Sequence, residues 1–295
     1  MSAFELVHAE KADYEVAELC RNLEVSTSGY YAWVSRPASQ RERDDERLRT
    51  KIRAVHERSR RTYGSPRIHA ELQEDDEKVS RKRVARLMKE DGITALQKRR
   101  FRRTTDSAHN LPVAIDRVER EFSATAPNEL WVGDITYVWT AEGWAYLAVL
   151  LDVFSRKVVG WALRKTLGRE LVLAALDKAL LLREPPLGLV HHTDRGSQYA
   201  SRDYRRRLAE TGLLQSMSRP ANCYDNALAE SFFATLKKEC VHRLSFATRT
   251  EAYDAVADYI DNFYNPERRH SSLGPLGQVS PVRFENQTST AAQAA

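Results

Sequence analysis

The sequence predicts an α/β protein, a mixed sheet in the order βββαβαβα behind a helical, highly charged N-terminal third. Three observations carry this. Residues 1–104 hold short apolar patterns of helical period in a polar background. From Leu130, apolar and aromatic runs of strand length follow one another across turns of a few residues. Beyond them, apolar runs alternate with amphipathic helical stretches, the pattern of a sheet with helices packed on it.

In the N-terminal third, Val16, Leu19, Cys20 and Leu23 share one helical face, and a turn follows at Glu24-Val25. Ser26 is placed as the N-cap of a helix bearing Tyr30 and Trp33. Two helices so closely joined can present the second to a DNA groove. They suit a small helical bundle without DNA contact equally well. Glu24 stands where the turn of such a helix-turn-helix usually has glycine. A second unit runs from Tyr63-Gly64 through Ile68, Ala70 and Leu72, breaks at Asp75-Asp76 and restarts at Val79-Ser80. Ser80 caps a helix with Arg81, Lys82, Arg83 and Arg86 expected outward and Val84, Leu87 and Met88 inward, ended by Gly92 as its C′ residue. Just beyond lies a basic run with one aromatic, Lys98, Arg99, Arg100, Phe101, Arg102 and Arg103. Such a run suits a phosphate backbone, and the alternative is a solvated charged arm. Helix and run lie on one side of the same linker, which favours DNA contact.

Residues 105–127 read as a linker and 128–285 as the α/β core. Strands are expected over 130–140, 144–151 and 157–163, and their short turns imply an antiparallel meander. A helix over 169–183 is stopped by Pro185-Pro186, and a short buried strand over 187–192 ends at Asp194. A helix over 201–211, a brief strand near Leu214-Gln215 and a long helix over 225–240 follow. Residues 286–295, rich in Gln, Thr and Ala, are expected to be disordered.

Composition excludes several classes. Of 295 residues, 42% are apolar and 29% charged, the balance of a globular protein. Lys and Arg total 46 against 41 Asp and Glu, a net charge of +5, so where the basic residues sit matters more than their excess. Glu5, His8, Glu10 and Lys11 argue against a secretory signal. The longest apolar stretch, 171–182, is broken by Asp177 and Lys178, so no membrane span is expected. Cys20, Cys223 and Cys240 form neither a disulfide framework nor a zinc spacing, which fits a reducing, cytoplasmic compartment.

Three carboxylates sit at positions suited to metal chemistry. Asp134 lies within the first strand, among apolar neighbours where an unpaired charge is costly. Asp194 stands at the carboxyl end of a strand, where ligand sites of α/β sheets collect. Glu230 lies on the late helix. At 100° per residue, Ala229, Phe232, Phe233, Leu236 and Cys240 form its apolar stripe, and Asn226, Glu230 and Lys237 fall along one edge within about 40°. An amide, a carboxylate and an ammonium bordering a core look like the edge of an active site. An ordinary amphipathic helix with a boundary ion pair gives the same pattern.

Several motifs in order resemble a known family. They are residues 131–137 around Asp134, the segment His192-Thr193-Asp194-Arg195-Gly196-Ser197-Gln198-Tyr199, and Tyr224-Asp225-Asn226-Ala227 leading into Glu230. Glu230 and Lys237 are seven positions apart, and Asp194 and Glu230 are separated by 35 residues. Tyr264-Asn265, Arg268-Arg269-His270 and Ser272-Leu273-Gly274 complete the set. The chain resembles DDE transposases of insertion sequences, most of all the second-reading-frame product of the IS-three family, with a ribonuclease-H-like, retroviral-integrase-type catalytic core. The resemblance covers nearly the whole chain. It implies that Asp134, Asp194 and Glu230 are catalytic and bind two Mg²⁺ ions, for which Mn²⁺ would substitute. It implies metal-dependent cleavage and strand transfer at element ends, with Asn226 and Lys237 touching the DNA end. Its implied partners are double-stranded DNA, further copies of the chain, and an upstream-frame helix-turn-helix product, in a bacterial, nucleoid-associated setting. The alternatives are a catalytically silent DNA-binding regulator and a ribonuclease-H-type nuclease. Retention of all three carboxylates argues against the first, and the basic helical arm against the second.

Other residues have plainer readings. Asp152 suits its turn, Asp225 an N-cap, and His191 and His192 a buried strand. Cys223 and Cys240 read as structural. Arg268, Arg269 and His270 read as DNA contacts or as a solvated basic turn.

Overall fold

The computed structural model describes residues 2–37, 39–95, 112–119, 121–218, 227–274 and 278–293. Helices α1 (Ala3–Glu10), α2 (Val16–Asn22) and α3 (Thr27–Val34) close around Val7, Cys20 and Tyr30. Ser26 caps α3 by accepting the Gly29 N–H at 3.0 Å. Glu24 adopts the left-handed conformation, φ +53°, and the Val25 N–H closes the turn on the Cys20 carbonyl at 2.9 Å. The turn thus forms without glycine, at the cost a side chain carries in that region.

A second helical unit comprises α4 (Gln40–Arg58), α5 (Ser65–Glu74) and α6 (Arg81–Glu90). Leu48, Ile52, Ile68, Leu72, Val84 and Leu87 interlock at its centre. Ser80 caps α6, and Gly92 ends it at φ +67°. The inward set is the expected one, but the outward set needs correcting. Arg83 and Arg86, one turn apart, both lean onto α4, each bonded to Asp45 at 2.7 Å, and Arg86 also holds Glu90. A carboxylate between two guanidiniums outweighs their solvation. The exposed stripe of α6 is instead Arg81, Lys82, Ala85 and Lys89.

The core sheet has the order β3-β2-β1-β4-β5. β1 (Leu130–Thr140), β2 (Gly143–Asp152) and β3 (Val158–Arg164) form the antiparallel meander. β4 (Val190–Thr193) runs parallel to β1, and β5 (Leu214–Met217) parallel to β4. One face carries α7 (Arg169–Arg183) and α8 (Arg202–Glu210) over Trp131, Ala148, Leu150 and Leu176. A Cβ at Gly160 would lie 2.3 Å from the Ala175 carbonyl, so glycine lets α7 lie directly on β3. The other face carries α9 (Ala227–Glu239) and α10 (Arg249–Ala257), which continues as a π-helical stretch, Asp258–Tyr264. Phe232, Phe233 and Leu236 of α9 pack there with Val132, Val138 and Val149 in one core that extends into α4–α6.

Two expectations fail at the C-terminal end. The tail expected to be disordered from residue 286 continues α11 (Pro281–Gln293). Its anchor is Glu285, buried among Ser155 at 2.8 Å, Lys157 at 2.9 Å and Arg183 at 2.9 and 3.0 Å. Nor is the 268–269 pair solvated. Arg268, 5% exposed, grips Glu239 at 2.7 and 2.8 Å. Arg269, 4% exposed, bridges Glu71 and Glu74 of α5, and its N–H donates to the Tyr63 hydroxyl at 2.8 Å. The Arg269 bonds clamp α4–α6 to the half of the chain that carries the sheet. Among the described residues no helix is long and apolar enough to cross a membrane.

Candidate active site

Strand register builds the site. Thr193 of β4 lies opposite Gly133 of the parallel strand β1, so the next residue on each, Asp194 and Asp134, emerges at the same level on strands about 4.8 Å apart. Gly133 permits this approach, since a Cβ there would stand 2.8 Å from His191 Cε1. His191 is buried, with Nε2 2.8 Å from the Tyr204 hydroxyl, and His192 Nδ1 lies 2.9 Å from Ser216 Oγ. Both are packing histidines. Burial, then the neighbouring His192, pulls the His191 pKa down to about 3, so its ring is neutral.

Asp134 accepts the Ile135 N–H at 2.7 Å, and Asp194 accepts the Gly196 N–H at 2.9 Å. Burial raises the Asp134 carboxyl to about 8, and the charge of Asp194 adds to the rise. Glu230 raises it further and Lys237 lowers it. The other two carboxylates and the lysine singled out by sequence thus all act electrostatically on Asp134. Lys237, half-buried, has its ammonium pKa depressed by burial, with Asp134 opposing. Glu230 is exposed in the first turn of α9. It stands on the rim of a cavity of about 650 Å³, shared with Arg67, Ser231, Ala234 and Lys238, between α9 and the start of α5.

As they stand, no three His, Cys, Asp or Glu side chains among the described residues are close enough to clasp one ion. The chemistry of the donors nevertheless fits a hard divalent cation. Asp134 and Asp194 offer carboxylate oxygen, and their mutual repulsion is what a cation between them would relieve.

Other expected residues divide. Arg81 and Lys82 are exposed and free to meet a ligand surface, whereas Arg83 and Arg86 are engaged by Asp45. Lys89 belongs to the same exposed stripe and escaped sequence analysis, although its seven-residue spacing from Lys82 is a readable signal. Asn226, Asp225, Cys223 and the run Lys98, Arg99, Arg100, Arg102 and Arg103 lie outside the described residues. Asp152 is fully buried, accepting the Asn128 and Phe154 N–H groups at 2.8 and 2.9 Å, with Arg183 at 3.4 Å, and it serves the turn. Burial pushes the Cys240 thiol up to about 11, which suits a structural cysteine.

Comparison with known proteins agrees with this architecture. Residues 124–223 and 230–288 each match an integrase core domain family, and residues 42–101, spanning most of α4–α6, match an HTH-like domain. The chain is 48% identical over 266 residues to the insertion element IS600 uncharacterized 31 kDa protein of Shigella sonnei, covering 90% of this chain and 97% of that one. It is 40% identical over 282 residues to transposase InsF for insertion sequence IS3A of Escherichia coli K12, covering 95% and 97%. Among solved structures, a chain of the simian T-cell lymphotropic virus intasome in complex with PP2A regulatory subunit B56 gamma aligns over 79% of this chain and 74% of its own, at 16% identity and a TM-score of 0.45. The sheet of ribonuclease-H-like topology, the HTH-like unit clamped to it, the family matches and the two insertion-element relatives agree: the chain belongs to the IS3-type insertion-sequence transposases, DNA transposases with an integrase core.

Proposed function

We propose that this transposase is of the DDE type, with Asp134, Asp194 and Glu230 as its catalytic carboxylates and as ligands for two Mg²⁺ ions, Mn²⁺ substituting. The observation that carries the reading is the parallel register of β1 and β4, Gly133 opposite Thr193, which brings Asp134 and Asp194 out side by side, and the rise of the Asp134 carboxyl under burial and the Asp194 charge accords with it. A carboxyl whose pKa is raised by burial and by a neighbouring carboxylate is the kind of group found at functional sites. Bound ions would supply Lewis acidity at the attacking and leaving oxygens of a phosphodiester. The three carboxylates orient and neutralise and are not themselves attacked. The attacking oxygen is water in strand cleavage and a freed 3′ hydroxyl in strand transfer. In each case one phosphorus–oxygen bond forms as another breaks.

Lys237, whose ammonium feels the Asp134 charge, holds a phosphate near the reacting one, and Asn226, four positions before Glu230 in sequence, contacts the terminal base. The exposed Arg81, Lys82 and Lys89 face duplex DNA, together with the run Lys98, Arg99, Arg100, Arg102 and Arg103. Arg83 and Arg86 support that helix through Asp45. One site per chain and two element ends call for a multimer on DNA, working in the bacterial cytoplasm at the nucleoid, alone or with an upstream-frame product. Calorimetric titration of Mn²⁺ into the full chain tests the metal assignment. Binding is expected to release protons at pH 7 and to be lost in Asp194→Asn. Equal affinity and stoichiometry in that variant would overturn it.

A further inference from the structure

The turn between β2 and β3 carries Arg156 beneath α9. There it lines a cavity of about 280 Å³ together with Arg67, Arg268, Ser231, Thr235 and Ser272. Three guanidiniums thus meet hydroxyl groups in one enclosure. Acid is scarce around them. Glu239 accepts from Nε and Nη2 of Arg268 and stands 4.0 Å from Arg67. Asp152, also on the wall, is taken by Arg183 and two backbone N–H groups. Arg156 forms no ion pair among the described residues, and its buried Nη1 has no hydrogen-bond partner among them. Its backbone is fixed in the left-handed region, φ +62°, and its carbonyl accepts the Tyr264 hydroxyl at 3.1 Å, so the side chain springs from a rigid turn. Burial depresses the guanidinium pKa of both Arg67 and Arg156, and Arg268 depresses that of Arg67 further. An enclosure that holds more guanidinium than free carboxylate, with one donor lacking a partner among the described residues, is costly until an anion fills it.

We infer that this cavity is a binding site for a phosphate group, distinct from the carboxylate site. A tetrahedral oxyanion offers acceptors in every direction, which suits several guanidinium forks and hydroxyls converging from different elements. The cavity opens along α9. Arg67, Ser231, Thr235 and Arg268 also line the larger cavity on whose rim Glu230 stands. A DNA strand lying along α9 would bring a backbone phosphodiester to it, and free inorganic phosphate has the same chemistry. Only the choice between these two sources depends on the proposed catalytic reading.

The test uses the full chain and inorganic phosphate, titrated at constant ionic strength against chloride while the melting temperature is followed. Wild type is expected to rise with phosphate and level off. Arg156→Gln should stay flat. Thr235→Glu, which supplies the missing carboxylate, should melt higher than wild type without phosphate and respond to it no further. This second variant keeps the test open if Arg156→Gln folds poorly. Duplex binding across a salt series then separates the sources. A backbone phosphate in the cavity makes the slope of log affinity against log salt shallower by about one in Arg156→Gln. An unchanged slope with an intact phosphate response in wild type assigns the site to the free ion. A wild-type melting temperature indifferent to phosphate, or a response that persists in both variants, overturns the inference. The melting arm involves no strand cleavage, so Glu230→Gln should respond to phosphate as wild type does, whatever becomes of the catalytic reading.

Discussion

Replacing Asp134 by asparagine should stabilise the metal-free chain at neutral pH and leave it unchanged near pH 4. The carboxyl titrates near its ordinary 3.8 in the unfolded chain and at about 8 in the fold. Between those values the folded state holds a proton that the unfolded state has lost. Stability contributed by this group is therefore fully present below pH 4 and falls as pH rises to 8. At 1.36 kcal/mol per unit, the span from 3.8 to pH 7 sets an upper figure of about 4 kcal/mol. Partial solvation of the side chain lowers the expected difference to about 2–4 kcal/mol. Asparagine keeps the oxygen that accepts the Ile135 N–H at 2.7 Å and carries no charge, so the variant isolates the electrostatic cost. Urea unfolding of both proteins in a chelator, from pH 4 to 8, gives the difference directly. It should be near zero at the acid end and widen with pH, and Mn²⁺ should stabilise wild type alone. A pH-independent difference, or a variant less stable than wild type at pH 7 without metal, would refute the reasoning.

Other expectations are more local. Arg269→Gln should cost about 3 kcal/mol in urea unfolding, the lower end for a broken buried ion pair, because Glu71 and Glu74 keep Arg58 and Arg283; a loss below about 0.5 kcal/mol, the level of an exposed pair, would contradict the clamp. Changing Arg81, Lys82 and Lys89 together to glutamine should weaken duplex binding and flatten its salt dependence while the melting temperature holds. Arg83→Gln with Arg86→Gln should lower the melting temperature instead, and the opposite pattern would reverse the two faces of α6. Lys237→Ala should impair cleavage and joining at the element end without lowering stability; wild-type activity across a salt series would remove the lysine from the site.

Much of this architecture is legible in sequence because the signals are local. Short turns at 141–143 and 152–156 fix the meander, and Pro185-Pro186 ends α7 where expected. The apolar stripe Ala229, Phe232, Phe233 and Leu236 orients α9, leaving Glu230 at its edge. What sequence hides is partnership over distance. Arg269 reads as a DNA contact or part of a solvated turn because its acids, Glu71 and Glu74, lie almost two hundred positions earlier. Arg83 and Arg86 read as outward for the same reason, since nothing near them announces Asp45. The tail is misread on composition, whereas a single buried Glu285, tied to Lys157 and Arg183, anchors its helix. Glu24 shows the converse. Its place in the turn is readable, but the hydrogen bonds that hold a non-glycine at φ +53° are not.

The central claim is that Asp134, Asp194 and Glu230 act as one metal-dependent site, and strand cleavage by Glu230→Gln tests it most directly. The change removes one charge and almost no volume from an exposed position on α9, so fold and duplex binding should persist. On a labelled terminal-repeat duplex with Mg²⁺ or Mn²⁺, wild type should release the element end and the variant should not, at equal DNA occupancy. Cleavage by Glu230→Gln at the wild-type rate would contradict the account.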